Sequence, residues 1–141
     1  MTLNHTHDPA TRSWLASAND AGTDFPIQNL PFGIFKSKSA PALDWRAGIA
    51  IGNDVIDLPA LAATGLLQGL ALSAAQAGAA DALNPLMAMG PAAWQALRHA
   101  VFALLKADAA AGVQATVGTC LHPQAEVVFN LPARVSDYTD F

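Results

Sequence analysis

Charged residues are scarce in this sequence. Lys, Arg, Asp and Glu together make up 13% of the 141 residues, whereas typical soluble domains carry roughly 25%. A large share of the surface must therefore be apolar or built from small residues, which favours a chain that meets a partner surface. Much of the hydrophobic fraction is alanine, a weak hydrophobe, so the surface is less apolar than the low charged fraction alone suggests.

The sequence also lacks any concentration of positive charge. Its formal net charge is −4, and the seven Lys and Arg residues are scattered along the chain. Proteins that bind nucleic acid usually present a basic stripe or patch. We therefore expect no nucleic-acid partner.

Cysteine and long apolar runs are nearly absent as well. The single cysteine, Cys120, rules out an internal disulfide, and a reducing cytoplasm is then the default location. The longest apolar stretch, 58–75, is interrupted by proline, glycine and polar residues, so we expect no membrane span. Residues 1–14 contain neither a basic region nor an apolar core, and no secretory signal is expected there.

A β-hairpin is the clearest structural signal that is present. Residues 45–51 are typical of a strand, Gly52-Asn53 of a two-residue turn, and residues 55–58 of the returning strand. Alternating apolar residues predict a further strand within 25–35, followed by a polar loop over 36–43.

Helical patterns follow the hairpin. A short helix is predicted over 58–63, and a second over 82–89 with Asp81 as its N-cap. A third helix begins at Pro91 and has Gly112 as a suitable stop. Its apolar stripe is predicted to comprise Trp94, Leu97, Val101, Leu104 and Leu105. Residues between the first two helices are rich in Gly and Ala, and their apolar residues follow neither a helical nor a strand period.

The predicted elements describe one α+β domain. A last strand over 125–131 follows the helices, so we expect a small, antiparallel sheet with a β-hairpin and two or three helices. Residues 1–24 are polar and predict a flexible tail. The domain itself is expected over 25–131, and residues 132–141 form a segment that leads out of it.

Two carboxylates lie in the last five residues, Asp137-Tyr138-Thr139-Asp140-Phe141. Carboxylates are hard oxygen ligands suited to Mg²⁺ or Ca²⁺, but such ions need about six or more oxygens. Two readings stay open from the residues alone. The pair forms a solvated turn, for which Asp is well suited, or it forms one wall of a site whose other ligands lie elsewhere.

Other polar residues carry weaker signals. His5-Thr6-His7-Asp8 contains imidazoles that bind transition metals, although a disordered polar segment explains it as well. Cys120 and His122 are close in sequence, but catalytic partners meet in space, and a buried thiol is the simpler interpretation. His99 and His122 are expected at the surface or an edge. The residues alone predict no complete active site.

Four segments resemble a known enzyme family. FPIQNLPFGIF (25–35) and RAGIAIGNDVIDL (46–58) are similar to the start of the fumarylacetoacetases. The similarity continues through MAMGPAAWQALR (87–98) and NLPARVSDYTDF (130–141). The first and last of these motifs are specific to the family, whereas the hairpin and helix alone would be weak.

The resemblance implies a two-domain enzyme of tyrosine and phenylalanine breakdown. This chain then corresponds to its N-terminal domain, an SH3-like unit with helices, and to the start of the linker into a C-terminal catalytic domain that dimerises. The implied reaction is hydrolysis of a carbon–carbon bond in a diketo acid, giving fumarate and acetoacetate, with Mg²⁺ or Ca²⁺ as the cofactor.

The resemblance assigns only one site residue within this chain. Asp140 matches a metal ligand of the family, and Asp137 matches a motif position without a ligand role. The catalytic His, its Glu partner, the other metal carboxylates and the substrate-binding residues match no position in the chain. We therefore expect no catalytic residue here and an inactive isolated chain. Two alternatives remain: a non-enzymatic module that binds a full-length relative, and a parent among related metal-dependent decarboxylases or isomerases.

Overall fold

A computed structural model describes residues 3–40, 42–137 and 139–140. Within these residues, five strands and five α-helices follow one another along the chain. The strands are β1 (Phe32–Ser37), β2 (Arg46–Ile51), β3 (Asp54–Asp57), β4 (Leu121–Pro123) and β5 (Val127–Asn130). The helices are α1 (Leu58–Ala63), α2 (Gly69–Ala77), α3 (Asn84–Ala88), α4 (Pro91–Leu105) and α5 (Ala111–Gly118). Short 3-10 helices lie at His5–His7, Ala16–Asn19 and Gln124–Glu126.

The strands form one antiparallel sheet in the order β4-β3-β2-β1-β5. Its two edge strands, β4 and β5, are joined only by the 3-10 helix Gln124–Glu126. Four strand spacings in a flat sheet would separate the edges by about 19 Å, whereas a 3-10 segment of this length spans only about 8 Å. The sheet is therefore curled, and its edges approach each other like those of a half-barrel.

The main core lies between one face of this sheet and the helices. Ile34, Ile49 and Ile56 point from β1, β2 and β3 into it and are fully buried. Leu61 of α1 and Leu97 of α4 meet them from the helical side. A smaller cluster of Phe35, Val55 and Val127 lies on the opposite, concave face. The alternation along each strand thus supplies two separate apolar faces.

The predicted fold class is confirmed at the level of an α+β domain with an antiparallel sheet. The hairpin is also present, since β2 and β3 pair across a turn at Gly52, whose φ is +53°. Helix α1 occupies the predicted range, and the Asp57 carboxylate caps it by accepting from Ala60 N at 2.9 Å. The SH3-like character stays a prediction.

The prediction of two or three helices was wrong, because five are found among the described residues. Helix α2 lies in the Gly- and Ala-rich stretch that matched no period. Gly112 is not the stop of the long helix. Helix α4 ends at Leu105, and Gly112 lies inside α5. Asp81 is not an N-cap either, because α3 begins at Asn84 after Leu83.

The buried stripe of α4 also differs from the predicted one. It comprises Ala93, Leu97, Val101, Phe102 and Leu105. Trp94 is 39% exposed, because its indole Nε1 donates to the carbonyl of Leu86 at 2.7 Å and turns the ring toward α3. A second difference is β4, a three-residue strand that the sequence reading missed.

The segment predicted as a flexible tail is packed over residues 3–24. Thr6, Ser13 and Ala18 are buried. Ser13 Oγ donates to the carbonyl of Leu105 at 2.8 Å, and Trp14 Nε1 donates to that of Leu104 at 3.0 Å. Carbonyls at a helix C-terminus have no partner within the helix, and this segment supplies donors to the end of α4.

Candidate functional site

Asp140, the predicted metal ligand, lies in an exposed segment that follows β5. Asp137 is exposed in the same segment. Tyr138 and Phe141 of the same motif lie outside the described residues. Throughout 3–40, 42–137 and 139–140, no group of three or more His, Cys, Asp or Glu residues could hold a metal ion. Asp140 therefore offers the right chemistry for Mg²⁺ or Ca²⁺ but only one ligand of the several that such an ion needs.

The segment leading to Asp140 is held at its start. Pro132 accepts a hydrogen bond from Leu83 N at 2.7 Å. Arg134 N donates to Asn84 Oδ1 at 2.9 Å, and Asn84 Nδ2 donates to the carbonyl of Arg134 at 3.0 Å. The Arg134 guanidinium also pairs with the carboxylate of Asp81. These contacts were not predictable from the sequence, since nothing local links residues about fifty positions apart.

A buried carboxylate lies at the end of β3, next to the edge strand β4. Asp57 is 2% exposed, and its Oδ2 lies 3.4 Å from Arg46 Nη1 and 3.7 Å from His122 Nε2. Its Oδ1 accepts from Ala60 N. A buried carboxylate needs such partners because burial without them is costly. This cluster lies at the junction of β2, β3, β4 and α1 and supplies the partners of the buried carboxylate.

Cys120 is buried, as the sequence predicted. Its Sγ donates to the carbonyl of Thr116 at 3.8 Å and lies 3.9 Å from Thr119 Oγ1. Burial raises the pKa of the thiol; the Thr119 hydrogen bond opposes this, and the nearby Asp57 carboxylate adds to it. The thiolate, which is the nucleophilic form, is thus disfavoured. A nucleophilic role for Cys120 has no support.

His99 and the amino-terminal histidines lie together. The His5 and His99 rings are 4.8 Å apart, and the His5 ring meets Phe102 edge-on. His99 is only partly exposed, and its Nε2 is buried without a hydrogen-bond partner among the described residues. Desolvation lowers the pKa of His99, and electrostatic repulsion from the nearby His5, Arg98 and His7 lowers it further. The segment His5–His7 is a capped 3-10 helix, and a disordered stretch does not describe it.

An apolar groove of about 300 Å³ opens on the concave face of the sheet. It is lined mainly by aromatic and small residues, including Phe25, Phe32, Phe129, Gly33, Gly48 and Ala50. Phe129 on the edge strand β5 is 56% exposed. The groove was not visible in the sequence because its two sides come from strands far apart in the chain. Its lining contains no titratable residue, so it offers no acid, base or nucleophile.

Across the described ranges, none of the helices has the length and apolar character needed to cross a membrane.

Known proteins resemble the chain over most of its length. A family model described as fumarylacetoacetase N-terminal matches residues 28–132. The fumarylacetoacetase of Oryza sativa subsp. japonica is 38% identical over 123 residues, covering 85% of this chain and 29% of that protein. The fumarylacetoacetase of Mus musculus is 38% identical over 132 residues, covering 92% of this chain and 30% of that protein.

The chain thus spans about 30% of the length of the curated relatives it matches. The matched residues 28–132 contain β1 to β5 and α1 to α5. The family model therefore covers the whole sheet and its helical layer, and the chain belongs to the family of fumarylacetoacetase N-terminal domains.

Proposed function

We propose that this chain acts as the N-terminal domain of a hydrolase that cleaves 4-fumarylacetoacetate to fumarate and acetoacetate in tyrosine and phenylalanine catabolism. The observation that carries the proposal is the family match over residues 28–132, together with relatives named fumarylacetoacetase that are 38% identical. Since the chain spans about 30% of those relatives, the activity belongs to a longer polypeptide. Its partners are then the catalytic domain that follows in the same polypeptide and a second copy in a homodimer.

We infer that the curled sheet is of the SH3-like kind. The antiparallel order and the short connection between the two edge strands support this assignment. Superposition on SH3 domains tests it.

Asp140 is the residue through which this chain would contribute to the active site. When bound, Mg²⁺ or Ca²⁺ acts as a Lewis acid that polarises the oxygens of the diketo substrate. Asp140 would provide one carboxylate to that ion, and Asp137 would provide none. Asp140 is exposed. A carboxylate that shares a metal ion with another part of the polypeptide must be accessible before the two parts come together.

The isolated 141-residue chain would be inactive. Hydrolysis requires a base to activate water, and one carboxylate provides neither that base nor a coordination shell. His122 is near the buried Asp57 and far from Asp140 in the chain, while the Cys120 thiol is buried. Neither replaces the missing groups.

The test compares the 141-residue chain with the longer protein. Loss of acylpyruvate absorbance in the presence of Mg²⁺ should be measurable for the longer protein and absent for the chain alone. In the longer protein, Asp140→Asn should weaken metal activation at least about tenfold, because a charged ligand is removed. Asp137→Asn is the matched control and should leave it unchanged. Mg²⁺-dependent turnover by the 141-residue chain, or equal effects of the two substitutions, would contradict the proposal.

A second candidate is a non-enzymatic module that binds a full-length relative. The low charged fraction and the exposed apolar side chains of Phe129, Leu131 and Val135 favour it. Size-exclusion chromatography of the chain mixed with a full-length fumarylacetoacetase separates the two readings. Co-elution without any turnover by the longer gene product would favour the module.

A further inference from the structure

We propose that Asn84 and Arg134 are positioning residues that fix where the polypeptide carrying Asp140 leaves the domain. The turn 81–84 and the segment 132–134 together form what we call the linker clamp. The contacts of the linker clamp are a property of this chain. Their effect on metal binding by Asp140 rests on the function proposed above.

The main contacts of the clamp are made to backbone groups of the segment 132–134. Asn84 accepts from Arg134 N at 2.9 Å and donates to the carbonyl of the same residue at 3.0 Å. Its amide thus pairs with Arg134 as a neighbouring strand would. One residue earlier, Leu83 N donates to the carbonyl of Pro132 at 2.7 Å. Three hydrogen bonds within three residues define both the position and the direction of the segment.

An ion pair adds charge complementarity. The Arg134 guanidinium contacts the carboxylate of Asp81, with 73% and 53% of the two side chains exposed. Such exposed pairs are screened by water and add little to affinity. The Asn84 and Leu83 bonds therefore define the clamp, and the ion pair favours one orientation of the arginine.

The turn that forms the clamp is itself fixed to the core. Ala82, Leu83 and Leu86 are buried, and the carbonyl of Leu86 accepts from Trp94 Nε1 of α4. On either side of the clamped residues, Leu131 and Val135 are 78% and 79% exposed. An otherwise exposed segment is thus held against a rigid part of the domain at one point.

Chain length sets the effect on Asp140. Asp140 lies six positions after Arg134, so the clamp confines the backbone of Asp140 to within about 20 Å of Arg134. Without it, the nearest anchor is Asn130 at the end of β5, ten residues away, and the reach grows to about 35 Å. Effective concentration falls roughly as the −3/2 power of linker length, so lengthening the free segment from six to ten positions lowers the effective concentration of the carboxylate at a site in the same polypeptide about twofold.

The first test uses the 141-residue chain without metal. Asn84→Ala should speed amide-proton exchange of Arg134 by about fivefold or more, because one donor loses its acceptor. Asn84→Asp keeps an acceptor and should have a smaller effect. Asn130→Ala is the matched control, since its amide accepts from Leu131 N outside the clamp. Equal Arg134 exchange in Asn84→Ala and the unaltered chain would overturn the clamp.

The second test measures Mn²⁺ binding to the longer protein by electron paramagnetic resonance. Asn84→Ala removes two of the three hydrogen bonds of the clamp and should weaken Mn²⁺ binding by up to about twofold without lowering the melting temperature. Arg134→Asp should also weaken binding, and adding Asp81→Arg should restore part of it. Unchanged affinity in Asn84→Ala would overturn the positioning role. If the unaltered longer protein does not bind Mn²⁺, the proposed function fails together with that role, and the exchange result still decides whether the clamp exists.

Discussion

At the residue scale, the surroundings of His99 make stability depend on pH. Its Nε2 is buried, and the groups that face it from helix α4 and from the amino-terminal segment are Arg98, His5 and His7. All of these are neutral or positive. Desolvation first, and then these charges, lower the pKa of His99 below its usual 6.5. The folded state therefore resists protonation of this ring.

The sign of the resulting pH dependence follows from proton binding. Between the lowered folded pKa and about 6.5, the unfolded chain binds more protons than the folded one, so stability is lost as pH falls through this window. His99→Leu should flatten the decrease in unfolding free energy between about pH 7.5 and 5.5, measured by urea denaturation. Gln95→Leu, on the same helix, is the control and should keep the original slope. An unchanged slope in His99→Leu would show that another group causes it.

The burial or role of a single residue could be predicted from the sequence where it depends on residue type or on a local motif. Cys120 was predicted as a buried thiol, and it is 2% exposed. Asp140 was singled out by its motif and stays a proposed ligand. Asn84 gave no such signal, because its partner Arg134 is fifty residues away. Contacts between distant segments depend on the fold and carry no local pattern.

At the scale of elements, two glycines that pair across neighbouring strands differ in whether a larger side chain would fit. Gly33 of β1 lies directly opposite Gly48 of β2. A Cβ on Gly48 would lie 2.5 Å from Val55 Cγ1 and 2.9 Å from the Phe35 ring, whereas a Cβ on Gly33 would meet Phe129 Cδ1 at 4.0 Å. The small cluster on the concave face thus requires glycine at one position only.

This difference predicts unequal effects of the same substitution. Gly48→Ala should lower the free energy of unfolding by about 1–3 kcal/mol, because Phe35 and Val55 must move. Gly33→Ala should be neutral or stabilising by about 0.5–1 kcal/mol, since glycine is unfavourable within a strand. Urea denaturation of the two variants under the same conditions measures both. Equal losses would mean that the concave face is not packed as described.

Elements marked by a local turn or start signal were predicted well. The hairpin of β2 and β3, with its Gly-Asn turn, and helix α1, with proline in its first turn, were found where expected. Helix α2 was missed because it buries Ala71, Ala74 and Ala75. These are helically spaced, but alanine gives little hydrophobic contrast. Strand β4 has only three residues, too few for an alternation to be seen.

At the scale of the whole molecule, the amino-terminal segment is part of the fold. Arg98 donates to Thr6 Oγ1 at 3.0 Å and to the carbonyl of Asn29 at 2.8 Å, so one side chain connects this segment to the start of the sheet. Ala107 N donates to the carbonyl of Arg12 at 2.9 Å. The prediction of a flexible tail rested on the polarity of the segment alone. Its partners are backbone carbonyls at the end of helix α4, which polar residues satisfy well.

Removal of residues 1–22 should therefore destabilise the domain. The deletion exposes the carbonyls of Leu104 and Leu105, which accept from Trp14 and Ser13. Each hydrogen bond contributes about 1 kcal/mol. Loss of these two bonds and of the bond from Arg98 to Thr6 Oγ1 should therefore cost about 3 kcal/mol. Trp14→Phe, which removes only the indole donor, is the graded control and should cost about 1 kcal/mol. Thermal unfolding followed by circular dichroism measures both. A deletion variant that melts at the same temperature as the whole chain would mean that this segment does not stabilise the end of α4.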